Sequence, residues 1–350
     1  MDSLLYLLIG AYTAGLSDGV CLYGFNTETG DSKYISSVVV ENPSYIDAGK
    51  SGYLYAVTEN DGAPSYVNTL FFDREQEKIR LVNRQETFAA SPCYVTINDA
   101  HTHVVTANYG GGSISVFPVQ ADTLLPCAQL IVSEGSGADK SRQEAAHLHC
   151  VMFTPDDRYL FAVDLGSDRI YRYEVNASSD MASAFLNEAT MKPYSLPAGS
   201  GPRHLTFHPS GKYMYAINEL SGAVTAFRYD EGELGELQTI LADSAGGRAS
   251  AHIDITPDGK HLYVSIRNKA DGIAIFSIDD KDGRLTKTGY QFTGRHPRNF
   301  VITPNGRFLL AASRDSNLVE VFEINKETGA LRNIGKNIAD VDTPVFLKFI

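Results

Sequence analysis

Pro202-Arg203-His204-Leu205, the turn Pro209-Ser210-Gly211-Lys212, and Tyr215-Ala216-Ile217 with its polar tip Asn218-Glu219 make one copy of a pattern that recurs along this chain. The opening segment returns as Pro43-Ser44-Tyr45-Ile46, Pro92-Cys93-Tyr94-Val95, His147-Leu148-His149-Cys150, Ser250-Ala251-His252-Ile253, Pro297-Arg298-Asn299-Phe300 and Pro344-Val345-Phe346-Leu347. Successive copies are 49, 55, 55, 48, 47 and 47 residues apart. The apolar strand with a polar tip follows each time: Tyr55-Ala56-Val57 before Thr58-Glu59, Val105-Thr106-Ala107 before Asn108, Phe161-Ala162-Val163 before Asp164. Later copies end in Arg267 and Arg314. Pro-Ser-Gly, Pro-Asp-Gly and Pro-Asn-Gly turns join the two segments, a preset φ followed by residues that tolerate a positive one.

Alternating runs such as Ile114-Ser115-Val116-Phe117 and Ile273-Ala274-Ile275-Phe276 come next, and a period of two marks half-buried strands. Four antiparallel strands per repeat make one blade, and a period near 40–50 residues is that of propeller blades. The chain begins at Leu4-Leu5-Tyr6-Leu7-Leu8-Ile9 with a second strand that lacks a first, and stops at Phe346-Leu347-Lys348-Phe349-Ile350 with a first strand that lacks a second. The expectation is an all-β, seven-bladed β-propeller over residues 1–350, one domain, in which the C-terminal strand joins the N-terminal blade and hides both sheet edges.

Composition agrees: 43% hydrophobic and 21% charged residues supply a core, and 30 glycines with 19 tyrosines suit turn-rich β structure. A net charge of -12 argues against nucleic-acid or anionic-membrane partners. It leaves room for an anionic substrate at a local basic site. No apolar run approaches a membrane span. Leu4 to Ala11 has the apolarity of a signal peptide but no basic start, and it belongs to the repeat. A cytoplasmic location is expected, with a leader trimmed before residue 1 the alternative. Cys21, Cys93, Cys127 and Cys150 form no CxxC pair and read as buried free thiols.

In a propeller the first-strand entries and second-strand tips face one mouth of the channel. The entries carry His147, His149, Arg203, His204, His252 and Arg298; the tips carry Glu59, Asn108, Asp164, Glu219, Arg267 and Arg314; Arg295 stands just upstream of its strand. The ionisable groups fall in neighbouring blades, so arginines and histidines on one side of a funnel read as an anion site with a proton carrier. The structural alternative is that His204, His252, Asn108 and Asp164 are hydrogen-bonded struts and that Arg203 and Glu219 form an ion pair. His101 and His103 read as solvated turn residues, and Gly110-Gly111-Gly112 as a tight turn outside any strand–loop–helix phosphate context. No GxSxG elbow is present. Insertions around 133–145 and 177–192 account for the two long steps. Gly135 to Gly137 and Ser178-Ser179 read as surface loops, and the first insertion precedes His147 as part of a lid.

Asn42-Pro43-Ser44-Tyr45, Ala107-Asn108-Tyr109-Gly110-Gly111-Gly112-Ser113, Ala146-His147-Leu148-His149, Asp164-Leu165-Gly166-Ser167-Asp168-Arg169, Gly201-Pro202-Arg203-His204-Leu205, Asn218-Glu219-Leu220 and Gly294-Arg295-His296-Pro297-Arg298-Asn299-Phe300 carry a family resemblance across nearly the whole chain. On these segments it resembles the propeller-type lactonases, typified by bacterial 6-phosphogluconolactonase, and is similar to a fungal carboxymuconate cyclase. The resemblance implies hydrolysis of a small anionic sugar lactone, 6-phospho-D-glucono-1,5-lactone, to 6-phosphogluconate without metal or organic cofactor; separately, a monomer or weak homo-oligomer is expected. The resemblance places catalytic roles on His149 or His147, Arg203, Glu219 and Arg267, with Arg298 a rival for the second arginine. Beside these, Arg295, Arg298, His204, Asn108 and Asp164 are expected to contact the substrate. Another sugar lactone, a cycloisomerase reaction and a non-catalytic binding propeller are the alternatives.

Overall fold

The computed structural model describes residues 3–62, 64–176 and 184–350; Ser178-Ser179 lies outside the described residues. Seven antiparallel sheets follow one another along the chain, and apart from one sheet and an extra strand of the third, neighbouring strands are consecutive in sequence. That one sheet closes on itself from both ends of the chain: Pro344–Phe349 pairs with Leu4–Ala11, setting Phe349 opposite Leu7 and Leu347 opposite Ile9. Leu4–Ala11 therefore takes the second position and the C-terminal strand the first, as the repeat requires. That pairing satisfies backbone groups that would otherwise line an open edge. The third sheet departs from the four-strand rule. Its outer position is split between Thr123–Leu124 and Gln129–Val132, both paired to Ser113–Gln120. Pro126, with no N–H to give, sits in the gap.

Second strands such as Tyr159–Asp164, His261–Ile266 and Phe308–Ser313 are buried at every position, while the outer strand Leu186–Ser195 is mostly exposed. A strand covered on both faces reads as a continuous apolar run, and one with a wet face alternates.

Two compact units result, Met1–Val39 with His204–Ile350, and Val40–Arg203. In the first, core clusters join successive sheets face to face. Ile217 and Val224 pack with Leu262 and Phe276; Tyr263 and Ile275 pack with Phe300 and Phe322; Phe308 and Val321 pack with Leu7 and Phe25. Tyrosine hydroxyls repeat as struts between these layers: Tyr215 donates to the Gly283 carbonyl at 2.7 Å and Tyr263 to the Gly329 carbonyl at 2.8 Å. Tyr263→Phe strands a buried carbonyl and is expected to lower stability by about 1–2 kcal/mol. Urea unfolding followed by far-UV circular dichroism measures it, and an unmoved midpoint would deny the strut any weight.

In the second unit Tyr55 and Val67 pack against Val104 and Phe117. A side-chain amide fastens the third sheet to the fourth: Gln129 donates to the Leu186 carbonyl and accepts from the Leu186 N–H at 2.8 and 3.0 Å. Gln238 does the same to Leu285 in the first unit, at 3.0 and 2.7 Å. A carboxamide offers the same donor and acceptor as a peptide group, so it extends backbone pairing where side chains take over.

All four cysteines are free; Cys93 and Cys150 are buried, whereas Cys21 and Cys127 are half-buried. The reading of His103 as solvated is corrected, whereas His101 stays partly exposed. His101 accepts the Lys50 N–H at 2.9 Å, and His103 stacks on Phe185 with ring centroids 3.7 Å apart. Burial pulls the His103 imidazole down to about 4 from 6.5. The folded state thus takes up its proton less readily than the unfolded chain, and this contribution to stability is present above about 6.5 and lost as pH falls towards 4. Tm of His103→Gln should accordingly fall less than that of the parent between those two pH values; parallel Tm–pH curves would refute the linkage. The insertion at 133–145 is anchored: Gln143 is fully buried and donates to the Leu165 carbonyl and to Asp168 Oδ1.

Candidate functional site

The candidate residues form a cluster in each unit. In the second unit the first strand of the fourth sheet opens irregularly. Leu148 pairs with Asp164 and Cys150 with Val163, so His149 is an extra residue in a β-bulge. Cys93 holds the same place between Pro92 and Tyr94 in the third sheet, and Arg298 between Pro297 and Asn299 in the seventh. A bulge re-aims the side chain it carries. The two bulge residues of this unit meet, Cys93 Sγ lying 3.5 Å from His149 Nδ1, with both side chains buried.

Asp164 fixes the entry to that strand. Its Oδ1 accepts the N–H groups of His147 at 2.7 Å and Gly166 at 2.9 Å, and its Oδ2 accepts the Ser167 hydroxyl. Gly166 is required here, since a Cβ would lie 1.8 Å from the Ala145 carbonyl oxygen. Asn108 is likewise enclosed, donating to Ser113 and Ser115 and accepting from Thr106. Both residues are wholly buried and act as struts of their own sheets.

His147 stacks on Tyr109 at 4.4 Å. Its Nδ1 faces the Tyr109 carbonyl at 3.0 Å and its Nε2 faces Glu144 Oε1 at 3.1 Å. Both ring nitrogens are thus engaged by neighbouring oxygens. His149 meets the same Tyr109 edge-on at 5.4 Å. Arg203, in Pro202–Phe207, is 1% exposed and among the largest enclosed side chains.

In the first unit Glu219 pairs with Arg267, Oε2 to Nη2 at 3.1 Å, both side chains 6% exposed. The Arg267 Nε donates to the Ala249 carbonyl at 2.6 Å, and its Nη1 lies 3.3 Å from His296 Nε2. Ile266, an odd residue for a polar tip, is buried in the core cluster, and the tip proper is Arg267. Arg314 Nη2 approaches the other face of His296, 3.4 Å from Nδ1. Burial, then Arg267 and Arg314, hold that imidazole down at about 3, so it is neutral around pH 7. Its Nε2 can then accept from Arg267 while Nδ1–H points towards Asp315 Oδ2 at 3.8 Å. Arg314 Nε binds Asp315 Oδ1 at 2.6 Å, Arg295 Nη2 donates to the Asp315 carbonyl at 3.0 Å, and Arg298 lies over the Tyr12 ring.

His204 and His252 form a pair of their own, Nδ1 to Nδ1 at 2.9 Å with rings at 84°. One nitrogen must donate and the other accept, so the rings hold opposite tautomers when both are neutral. Among the described residues no three His, Cys, Asp or Glu side chains are grouped to hold a metal ion.

Sequence reasoning assigned no role to His296, Cys93 or Tyr109. His296 stands inside the quoted Arg295-His296-Pro297-Arg298 motif, and two flanking arginines were the available signal.

The family described as "Lactonase, 7-bladed beta-propeller" matches residues 6–349. A protein of Formosa agariphila named 6-phosphogluconolactonase is 35% identical over 95% of this chain and 96% of its own length. One of Bacillus subtilis with the same name is 35% identical over 98% and 97%. A crystal structure from Bacteroides fragilis has TM-score 0.97 at 48% identity, covering 100% of this chain and 98% of its own. The Pseudomonas aeruginosa periplasmic gluconolactonase has TM-score 0.91 at 30% identity, covering 99% of each.

Proposed function

Because this chain belongs to the lactonase family of seven-bladed β-propellers and is a lactone hydrolase, we propose that its substrate is 6-phospho-D-glucono-1,5-lactone, opened to 6-phosphogluconate. The observation that carries the reading is the match along almost the whole chain to relatives bearing that enzyme's name. The abundance of guanidinium groups around Arg267, His296 and Arg314 in an otherwise acidic protein suits an anionic substrate.

In the proposed reaction a water molecule adds to the lactone carbonyl while a histidine removes one of its protons. His149 is the favoured base, because His147 is committed to the Tyr109 carbonyl and Glu144. The tetrahedral oxyanion collapses with cleavage of the ring C–O bond, and the histidinium returns its proton to the departing ring oxygen. Arg203 steadies the oxyanion, which a guanidinium does without yielding a proton. Glu219 holds Arg267 in place, and the arginines of the same unit, Arg295 and Arg298 among them, supply charge for the phosphate.

A coupled assay on freshly prepared 6-phosphogluconolactone, corrected for spontaneous hydrolysis, tests the substrate. Absence of acceleration would end this reading. The Pseudomonas neighbour's name favours a second reading, an unphosphorylated gluconolactone, and comparing kcat/KM for the two lactones decides between them. Arg203→Ala should lower kcat/KM roughly a hundredfold or more while the folded spectrum is kept. Unchanged kinetics would remove Arg203 from the mechanism.

A further inference from the structure

We propose that Arg295, His296 and Arg314 form the subsite for the substrate's phosphate, with the Asp315 carboxylate as its resident counter-anion. The inference rests on the phosphorylated-lactone reading and narrows it. Of the arginines in this unit, Arg267 is turned to Glu219 and to the carbonyls of Ala249 and Ser250. Arg298 lies over Tyr12. Arg314 and Arg295 both reach Asp315 instead, one through its carboxylate and the other through its carbonyl.

The frame is rigid. Arg314 N–H donates to the His296 carbonyl at 3.1 Å, Asp315 N–H to the Arg295 carbonyl at 3.2 Å, and Arg295 N–H to Ser316 Oγ at 2.8 Å. Two loop segments, 294–296 and 314–316, are thereby stitched together. Gly294 permits the approach, since a Cβ there would lie within 3.0 Å of Ser313 and Ser316. His296, with its backbone N–H on Asp271 at 3.0 Å, stands between Arg267 and Arg314 as an uncharged spacer whose Nδ1 side looks towards Asp315.

The site also has access. The side chains of Arg314 and Asp315 are 28% and 42% exposed, against 6% for Arg267 and Glu219. A phosphate dianion presents more acceptor atoms and more charge to a guanidinium fork than a carboxylate does. It can therefore displace the half-exposed Asp315 side chain, which swings into water at small cost. Arg267, with its buried carboxylate partner, has no comparable exchange open to it.

The test is the ratio of kcat/KM for 6-phosphogluconolactone to that for glucono-1,5-lactone, in the parent, Arg314→Ala and Asp315→Asn. Calorimetric binding of 6-phosphogluconate and of gluconate accompanies it. Arg314→Ala should lower the ratio roughly thirtyfold by removing a charge-assisted contact. Asp315→Asn should raise it by about threefold to tenfold by removing the competing anion. A ratio unmoved by both variants, with lactone hydrolysis intact, overturns the subsite and leaves the lactonase reading standing. If neither lactone is hydrolysed but 6-phosphogluconate binds and Arg314→Ala weakens it, the subsite stands and the substrate reading falls. Should Arg314→Ala fail to fold, Asp315→Asn decides alone: a raised ratio supports the subsite, and an equal or lower one rejects it.

Discussion

His149→Ala is expected to lose on the order of a hundredfold to ten-thousandfold in kcat/KM, the range for removing a positioned general base. His147→Ala should lose far less. The two imidazoles are separated by one residue, yet the fold treats them differently. His147 is stacked on Tyr109 with both nitrogens turned to acceptors, whereas His149 is the extra residue of a bulge and meets Cys93. A ring nitrogen already engaged with a neighbouring oxygen is not presented to a water molecule. The pH profile adds a second readout. The acid limb of kcat/KM, where the base becomes protonated, should vanish in His149→Ala and persist in His147→Ala. The opposite assignment, with His147→Ala the more damaged, would transfer the role to that residue.

Glu219→Gln should destabilise the protein by about 3–5 kcal/mol, because it takes a buried carboxylate away from the buried Arg267 guanidinium. The pair is enclosed on both sides, at 6% exposure each, so solvent does little to soften the loss. Solvent-exposed pairs such as Arg284 with Asp282 should be worth less than about 1 kcal/mol by contrast. Arg267→Met in the Glu219→Gln background should recover part of the stability, since both charges are then gone. Activity should not return with it if Arg267 also serves the reaction. Denaturant midpoints of the two single variants and the double variant measure the coupling. A Glu219→Gln protein as stable as the parent would mean that the pair has little energetic weight.

Much of the architecture could be read from residues alone because its determinants are local. A Pro-Asp-Gly or Pro-Asn-Gly turn sets its own backbone, and Thr256 and Thr303 close two of these turns through Asp258 and Asn305. Alternation marks a strand wherever it lies, and the unmatched strands at Leu4 and Pro344 specified their own pairing. The candidate chemistry was readable as residue types: histidines, arginines and Glu219 at strand entries and tips. Asp164 and Asn108 stood there too, but their bonds go to nearby backbone and hydroxyls.

Other features depend on contacts between distant segments, and no spacing rule announces them. A bulge shifts pairing by one residue without altering the apolar pattern enough to be seen, so the different settings of His147 and His149 emerge only from register. Glu219 pairs with Arg267, 48 positions away, and His296 owes its neutrality to burial together with arginines from two other loops. Local chain chemistry thus defined the repeat, the turns and the closing strand. Which ionisable side chains meet, and in what protonation state, was settled by the stacking of one sheet on the next, because Coulomb and hydrogen-bond energies depend on distances through space and not along the chain.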